Sequence, residues 1–285
     1  MAFLTKKKAL ATTIVSASVL ALAACGSDDK GANTGSTDNE ESPTLVVGAS
    51  NTPHAIILEQ VEPILEEQGI DLEIETYQDY VLPNQDLESG EIDANYFQHI
   101  PYFEGQIEDF DYKFENAGGI HLEPIGVYSK KYKSLSELPE GATILLSSSV
   151  ADHGRMLSLL EKEGLIKLKE GIDKTKAETS DIAENPKNFK FDSGTEAPLL
   201  YQMYENEEGD AVLINSNYAI DNGLNPLEDS IAIESSESPY VNIVAVRAGD
   251  ENKKKIKALV EALRSEKVQE FILEEWGGSV VPVTE

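Results

Sequence analysis

The chain has 285 residues, with 52 acidic and 23 basic side chains and a formal net charge of −29 at pH 7. A surface this acidic repels nucleic acid and anionic lipid head groups, which excludes nucleic-acid binding and membrane attachment through a basic patch. The chain has one cysteine, so no disulfide can form within it and its stability must come from an ordinary hydrophobic core.

Residues 1–24 predict an export signal. Three lysines at positions 6–8 precede an uncharged stretch over residues 9–24, which is too short and too rich in Ala, Ser and Thr to span a membrane. The small residues before Cys25 resemble the lipobox of bacterial lipoproteins, which implies cleavage before Cys25 and lipidation of its thiol. The alternative is an ordinary secreted protein that keeps an incidental free thiol.

The segment after this cysteine predicts a tether. Apart from Pro43, residues 26–43 carry no aliphatic or aromatic side chain larger than that of alanine. Such a segment cannot bury enough apolar surface to order itself, so we predict a disordered tether over residues 25–43. Because the chain is acidic, membrane attachment must come from acyl chains, of which two or more give a stable anchor.

From Thr44 onward the pattern predicts strands that alternate with helices. Residues 45–47 are a short apolar run, Thr52-Pro53 is a helix start, and apolar residues then recur at helical spacing to Leu65. This opening unit of strand, helix and strand predicts an α/β fold with a parallel sheet. The later predicted strands are 72–75, 93–97, 120–128, 143–148, 211–215 and 240–247, and the later predicted helices are 152–163 and two within 256–272.

No motif of a common enzyme class occurs in the sequence. A phosphate-binding Gly-x-x-x-x-Gly-Lys loop, a Gly-x-Gly-x-x-Gly turn and a Gly-x-Ser-x-Gly elbow are all missing. The histidines, at positions 54, 99, 121 and 153, stand far apart and make no His-x-x-x-His pair. The sequence therefore predicts a protein that is not an enzyme and that carries no metal ion or cofactor.

A polar segment links the predicted strand at 143–148 to the helix that follows it. If Asp152 caps that helix, His153, Gly154 and Arg155 occupy its first turn. Glycine there would let a ligand approach the free backbone N–H groups closely, and Arg155 would pair with the ligand's carboxylate. The alternative is a local salt bridge between Asp152 and Arg155 at three-residue spacing.

Aromatic side chains gather in two nearby segments. Tyr77 and Tyr80 precede residues 95–99 (Asn-Tyr-Phe-Gln-His), and such a set can enclose an apolar side chain while fixing its polar end. A thioether suits that wall, because sulfur–aromatic contacts add about 0.3–1.5 kcal/mol. The alternative is that alternate residues of this strand fill the hydrophobic core.

Three asparagines lie where predicted strands begin or end. Asn215 and Asn217 come at the end of the apolar strand at 211–215, and in open α/β sheets ligands gather beyond the carboxyl ends of the strands. An asparagine can hold the ammonium or the carboxylate of a zwitterion, although it is also a common helix cap. Asn242 is a polar residue at the start of an otherwise apolar strand, so a neighbouring residue or a ligand must provide its hydrogen-bond partners.

These segments together resemble the NlpA-type lipoproteins, the methionine-binding components of methionine ABC importers. The resemblance implies an α/β fold with two lobes joined by two crossover segments, as in type II periplasmic binding proteins. It implies that residues 44–126 and 233–285 form lobe 1 and that residues 127–232 form lobe 2. It rests on residues 79–84, 92–99, 214–219, 240–247 and 277–283, within a match that spans residues 45–283.

The resemblance also implies a role for each candidate residue. Arg155 would hold the ligand carboxylate, and Asn215 or Asn217, with Asn242, would hold the other polar groups of the ligand backbone. His121, near the first crossover, is a further candidate. The residues that would enclose the thioether are Tyr80, Tyr96, Phe97 and His99.

Two segments depart from the pattern of this family. Relatives usually carry Asn-Asp-Pro-like and Asn-Glu-like residues before the Gly-Arg step, where this chain has residues 148–153 (Ser-Ser-Val-Ala-Asp-His). Residues 196–201 (Glu-Ala-Pro-Leu-Leu-Tyr) stand where relatives tend to have an Ala-Ala-Gln-Leu-Pro-Arg-like run. The implied ligand is therefore methionine, a close amino acid or a methionine dipeptide.

The resulting interpretation is a monomeric lipoprotein anchored through Cys25 to the extracytoplasmic face of a bacterial cell membrane. It would deliver its ligand to an ABC permease and its ATPase by ligand-induced closure of the two lobes. One alternative is a zinc- or manganese-binding lipoprotein of a metal importer, which needs three histidines and a carboxylate at one site. Others are a lipid-anchored hydrolase and an adhesive surface protein that binds no small molecule.

Overall fold

The computed structural model describes residues 42–283; the export signal, Cys25 and nearly all of the tether predicted over 25–43 lie outside that range. No helix within it is long and apolar enough to cross a membrane. The strands are β1 (Thr44–Ser50), β2 (Asp71–Tyr77), β3 (Ala94–His99), β4 (Phe114–Leu122), β5 (Gly126–Tyr128), β6 (Thr143–Ser147), β7 (Lys167–Leu168), β8 (Ile182–Glu184), β9 (Lys190–Thr195), β10 (Ala211–Ile214), β11 (Ala232–Ile233), β12 (Val241–Arg247) and β13 (Val281–Pro282). The helices are α1 (Ile56–Glu66), α2 (Leu82–Ser89), α3 (Ile100–Phe110), α4 (Val150–Lys162), α5 (Leu200–Glu205), α6 (Ser216–Asp221), α7 (Pro226–Asp229), α8 (Lys254–Leu263) and α9 (Glu266–Trp276).

The first sheet has the strand order β13–β4–β12–β3–β1–β2. Strand β1 pairs in parallel with β2 and β3, as the opening pattern predicts, whereas β12 pairs antiparallel with β3 and β4. The amphipathic helices α1, α8 and α9 bury their apolar faces on one side of this sheet, and α2 and α3 cover the other. Each face of the sheet therefore has its own packed core.

The second sheet, β11–β5–β10–β6–β9, comes from the middle of the chain. Strand β6 pairs in parallel with β9 and β10. Helix α4 packs on one face, and α5 and α6 pack on the other. Two sheets with separate cores make the two α/β lobes that the sequence predicts. The lobe boundaries at 126/127 and 232/233 stay a prediction.

The chain crosses between the two sheets twice. It leaves the first sheet after Leu122 and enters the second at Gly126, and it returns between Ile233 and Val241. The prediction of one continuous strand over 120–128 is wrong. Pro124 lies between β4 and β5 and has no N–H to donate to a strand ladder, so the strand breaks there.

Helix α4 begins earlier than the sequence predicts. Its N-cap is Ser149, and Asp152 lies inside the first turn rather than at the cap. The structure also gives a packing reason for Gly154. A Cβ at that position would lie 2.3 Å from the main-chain oxygen of Lys174 and 2.7 Å from that of Thr175. Glycine therefore allows α4 to contact the main chain of this turn.

Gly154→Ala is expected to destabilise the protein by about 1–3 kcal/mol, because main-chain atoms cannot move aside as a flexible side chain would. Equilibrium urea denaturation measures the loss. Gly105→Ala is the matched control, since Gly105 also lies in a helix but nothing stands within 4 Å of an added Cβ. The control should gain about 0.5–1 kcal/mol. Equal free energies of unfolding in the two variants would contradict the packing argument.

Candidate functional site

A cavity of about 30 Å³ lies between the two sheets. Most of its wall residues stand at or just past the carboxyl ends of β1, β3, β6 and β10, where ligands bind in open α/β sheets. The wall residues are His54, Tyr80, Phe97, Gln98, His99, Tyr102, Glu123, Asp152, Arg155, Asn215, Ser216, Asn217 and Asn242.

Three aromatic rings form the apolar part of this cavity. The ring centroids of Tyr80, Phe97 and Tyr102 lie 6.0 or 6.1 Å from one another. The Tyr80 hydroxyl donates to Asn217 Oδ1 at 2.7 Å, and burial raises the pKa of Tyr80 well above its ordinary value, so that proton stays in place. The Tyr102 hydroxyl donates to the main-chain oxygen of Tyr80 at 2.8 Å. These fixed rings, which we call the aromatic box, suit an unbranched apolar side chain, a thioether included.

Arg155 brings a positive charge into the cavity. Its Nε donates to Glu234 Oε2 at 3.0 Å, and its Nη2 donates to the same oxygen and, at 2.6 Å, to the main-chain oxygen of Glu123. The guanidinium carbon lies 4.8 Å from the centroid of the Tyr240 ring. Within residues 42–283, Nη1 makes no hydrogen bond and lies 3.8 Å from Asp152 Oδ1. These contacts fix the guanidinium and leave one nitrogen for an anion.

Asp152 brings a negative charge into the same cavity. Its Oδ1 accepts from His99 Nε2 at 3.0 Å, and its Oδ2 accepts from Asn215 Nδ2 at 3.1 Å. Burial alone would raise the pKa of Asp152, but the hydrogen bond from His99 and the nearby charge of Arg155 lower it to about 2. Asn215 Oδ1 is buried and has no partner in the described part of the chain. A carboxylate beside an unpaired amide oxygen suits an ammonium group.

His54, His121 and Glu123 form a buried cluster at the edge of the cavity. Glu123 Oε1 lies 2.8 Å from His121 Nε2 and 3.2 Å from His54 Nε2. Burial lowers the pKa of His54 to about 4 and the pKa of His121 to about 3, so both imidazoles are neutral at pH 7. One ligand atom from each residue lies within 4.8 Å of the others, close enough to hold one metal ion.

Folding is expected to weaken as the pH falls below about 6.5, because the unfolded chain protonates His54 and His121 first. The folded protein takes up these protons only near pH 4 and pH 3, so the unfolded state binds more protons in between. Each histidine then removes up to about 1.4 kcal/mol of unfolding free energy per pH unit. Burial raises the pKa of Glu123, so the folded protein binds a proton there before the unfolded chain does, which offsets part of this loss. Urea denaturation between pH 7 and pH 4.5, in EDTA to keep metal off the cluster, measures this slope. His121→Gln should make the slope shallower, and an unchanged slope would contradict the assignment.

The structure places most of the predicted ligand-binding residues in one cavity wall. Tyr96 and His121 are the exceptions, because the Tyr96 ring packs in the core of the first sheet and its hydroxyl lies 2.5 Å from His121 Nδ1. Contact of any of these side chains with a ligand stays a prediction. The predicted residues that line the cavity are Tyr80, Phe97, His99, Arg155, Asn215, Asn217 and Asn242.

Other cavity residues are not among those that the sequence predicts. Glu123 stands directly before Pro124 at the crossover, and His54 directly follows Pro53. A polar residue next to a proline that bends the chain is therefore the sequence pattern that could have identified both residues. The local sequence also marks Asp152 as a candidate, but its short polar side chain fits a helix cap equally well. The cavity residues without a predicted binding role are His54, Gln98, Tyr102, Glu123, Asp152 and Ser216.

The histidines of the chain do not meet at one point. His153 Nε2 donates to the main-chain oxygen of Ser147 at 2.8 Å, and His99 pairs with Asp152. Only His54 and His121 come together in the described range. The site of three histidines and a carboxylate that a metal importer's binding protein needs is therefore not formed by residues 42–283.

Comparisons with known proteins all indicate the same family. A model of the NlpA lipoprotein family matches residues 45–284. A methionine-binding lipoprotein MetQ of Bacillus subtilis is 50% identical over 266 residues, which cover 93% of this chain and 94% of that protein. A D-methionine-binding lipoprotein MetQ of Salmonella typhi is 39% identical over 263 residues, which cover 92% of this chain and 93% of that protein.

Solved structures resemble this chain over most of its length. A pheromone cOB1 precursor/lipoprotein of the YaeC family from Enterococcus faecalis matches with a TM-score of 0.82 and 57% identity, over 84% of this chain and 100% of that one. A nutrient binding protein from Burkholderia cenocepacia bound to methionine matches with a TM-score of 0.79 and 41% identity, over 84% of this chain and 99% of that one. The likeness therefore extends over the fold of both lobes.

Proposed function

Because the chain belongs to the NlpA lipoprotein family, we propose that it binds methionine outside the cell and delivers it to an ABC importer. Relatives are named for methionine binding, and one similar solved structure is described as bound to methionine. In this proposal a lipid on Cys25 anchors the protein, residues 25–43 are its tether, and no chemistry is done on the ligand.

The observation that carries this proposal is a buried pair of opposite charges beside the aromatic box. Arg155 Nη1 and Asp152 Oδ1 stand 3.8 Å apart in the wall of the cavity. A free amino acid carries a carboxylate and an ammonium on the same carbon, so it matches both charges at once. The aromatic box would then enclose the thioether side chain.

Each charged group of the ligand has a proposed partner. Arg155 Nη1 would donate to the carboxylate, because the other guanidinium nitrogens are already bonded to Glu234 and to the main chain. Asp152 and Asn215 Oδ1 would accept from the ammonium, because the amide oxygen is buried without a donor in the described chain. Leaving such an oxygen unpaired costs about 1–3 kcal/mol, which a bound ammonium would recover.

The other predicted residues would hold these partners in place. His99 and Asn217 bond directly to side chains that face the ligand. Asn242 Oδ1 lies 3.1 Å from His54 Nε2. Tyr96 and His121 do not line the cavity, so we propose them as support for its wall rather than as ligand contacts.

Ligand binding would favour closure of the two lobes. Hydrogen bonds already cross between them, from His99 to Asp152 at 3.0 Å and from Asn51 Nδ2 to Asp221 Oδ1 at 2.8 Å. A ligand held from both sides binds the closed form better than the open form and shifts the equilibrium toward it. The proposed lobes are residues 44–126 with 233–285 and residues 127–232, and the closed pair would dock on the permease and its ATPase complex.

The surroundings of the serines also favour binding without catalysis. A serine hydrolase needs a hydroxyl within hydrogen-bond reach of a base. Ser216 Oγ, in the cavity wall, donates to the main-chain oxygen of Pro124. No serine hydroxyl hydrogen-bonds to a histidine anywhere in the described part of the chain, residues 42–283.

Titration calorimetry of the full chain in detergent, with EDTA, tests the proposed function. Methionine is expected to bind one to one, and at 100 times its Kd it should raise the unfolding free energy by about 2.7 kcal/mol. Leucine, which lacks the thioether, and N-acetylmethionine, which lacks the ammonium, are the controls. Tighter binding of a methionine dipeptide would reassign the ligand, and the absence of both binding heat and Tm shift with methionine would overturn the proposal.

A further inference from the structure

The cluster of His54, His121 and Glu123 has a geometry close to that of a zinc site. Zinc binds histidine nitrogen and carboxylate oxygen at about 2.0–2.2 Å, so ligand atoms around a tetrahedral ion stand about 3.3–3.5 Å apart. Glu123 Oε1 lies 2.8 Å from His121 Nε2 and 3.2 Å from His54 Nε2, and one ligand atom from each residue lies within 4.8 Å of the others. The two separations from Glu123 Oε1 would have to widen by roughly 0.1–0.7 Å to reach these zinc distances.

The surroundings of His121 are compatible with a metal, whereas His54 Nδ1 has no partner within residues 42–283. A histidine that binds zinc through Nε2 carries its proton on Nδ1, where a neighbouring acceptor usually fixes the ring. The Tyr96 hydroxyl lies 2.5 Å from His121 Nδ1 and can accept that proton. Tyr96 is fully buried in the core of the first sheet, so it would hold the His121 ring in one orientation.

The charge of the cluster calls for a cation. The Glu123 side chain is 7% exposed, and its Oε1 faces the Nε2 atoms of His54 and His121. Arg155 bonds to the main-chain oxygen of Glu123, so its positive charge lies near this carboxylate without a direct hydrogen bond to it. A buried carboxylate is expensive unless a cation compensates it, and a bound dication would supply that charge.

We propose that His54 Nε2, His121 Nε2 and Glu123 Oε1 bind one Zn²⁺ ion in the wall of the cavity. Two imidazole nitrogens and one carboxylate oxygen are a donor set that zinc accepts, whereas Mg²⁺ and Ca²⁺ prefer oxygen ligands throughout. Asn242 Oδ1, 3.1 Å from His54 Nε2, is an additional oxygen beside the ion. Because His54, Glu123 and Asn242 line the cavity, an ion held by this cluster would lie beside the proposed amino-acid site.

Calorimetric titration with ZnSO₄ tests this site on the full chain in detergent, after EDTA treatment and removal of the chelator. The wild type is expected to bind one Zn²⁺ per chain, and MgCl₂ should give no comparable binding. His121→Gln should weaken zinc binding at least tenfold. His153→Gln is the matched control, because His153 is also buried but contacts Ser147 outside the cluster, and it should bind zinc as the wild type does.

Two results would overturn the proposal: a wild type that binds no stoichiometric zinc, or a His121→Gln variant that binds it as tightly as His153→Gln. Circular dichroism checks that both variants fold. If His121→Gln does not fold, the wild type is titrated with Co²⁺ instead. A tetrahedral Co²⁺ site produces visible absorption bands, and their absence would refute the site. Methionine titration in EDTA is a separate measurement, so failure of the zinc site and failure of the proposed function can be told apart.

Discussion

Arg155→Met is expected to weaken methionine binding by about 10- to 150-fold in titration calorimetry. The variant keeps an unbranched side chain in the wall but removes the Nη1 donor that we assign to the ligand carboxylate. Hydrogen bonds to charged groups contribute about 1.5–3 kcal/mol, which corresponds to this range of affinity. Binding of N-acetylmethionine, which keeps the carboxylate, should fall by a similar factor.

The same substitution also removes the partner of Glu234, whose side chain is 12% exposed. Breaking a buried ion pair on one side costs about 3–5 kcal/mol, so a loss of stability must be separated from a loss of binding. The double variant Arg155→Met/Glu234→Gln removes both charges and should recover much of the stability without recovering the affinity. Urea denaturation and calorimetry on the same samples measure the two effects. Affinity close to wild type in the double variant would place the ligand carboxylate elsewhere.

Asp152→Asn is expected to weaken methionine binding by about 10- to 150-fold, because it removes the negative charge proposed to hold the ammonium. Asparagine has nearly the same shape, so His99 Nε2 can still donate to its oxygen. Its new amide group faces Asn215 Nδ2, however, so a modest loss of stability accompanies the change. Calorimetry should also show that the variant discriminates less between methionine and N-acetylmethionine, since only methionine has the ammonium.

Asp221→Asn is the matched control for this prediction. Asp221 is also an aspartate whose hydrogen bond crosses between the lobes, with Asn51 as its donor, but it stands outside the cavity wall. Its substitution tests whether any cross-lobe carboxylate supports binding through closure alone. We expect methionine affinity within about twofold of wild type in this control. Equal losses in Asp152→Asn and Asp221→Asn would refute direct contact between Asp152 and the ammonium.

Several parts of the fold follow from local patterns. The apolar positions of α1 recur at helical spacing, and the structure buries Val61 and Leu65 on one face, as that spacing predicts. Strand alternation also separates two neighbours in β3, because consecutive side chains point to opposite faces. Tyr96 lies in the core of the first sheet, whereas Phe97 faces the cavity. A ligand contact of either side chain stays a prediction.

The boundaries of elements are harder to predict, because they depend on single residues with several uses. Pro124 divides a stretch that is apolar enough to be one strand. Asp152 has the short polar side chain of a helix cap, yet its carboxylate bonds to His99 across the cavity. Local sequence offers both roles for such a residue, and the long-range partner decides between them.

By itself the sequence determined the α/β class, the strand-end positions of the candidate residues and the positive charge at Arg155. These depend on periodicity, side-chain chemistry and chain order, which are properties of neighbouring residues. Only the tertiary structure decided that Glu234 holds Arg155 and that Glu123 lies between His54 and His121. Such contacts join segments far apart in the chain, and the charges they stabilise depend on burial. These charged side chains become buried only when the helices have packed on the two sheets and the sheets have come together around the cavity.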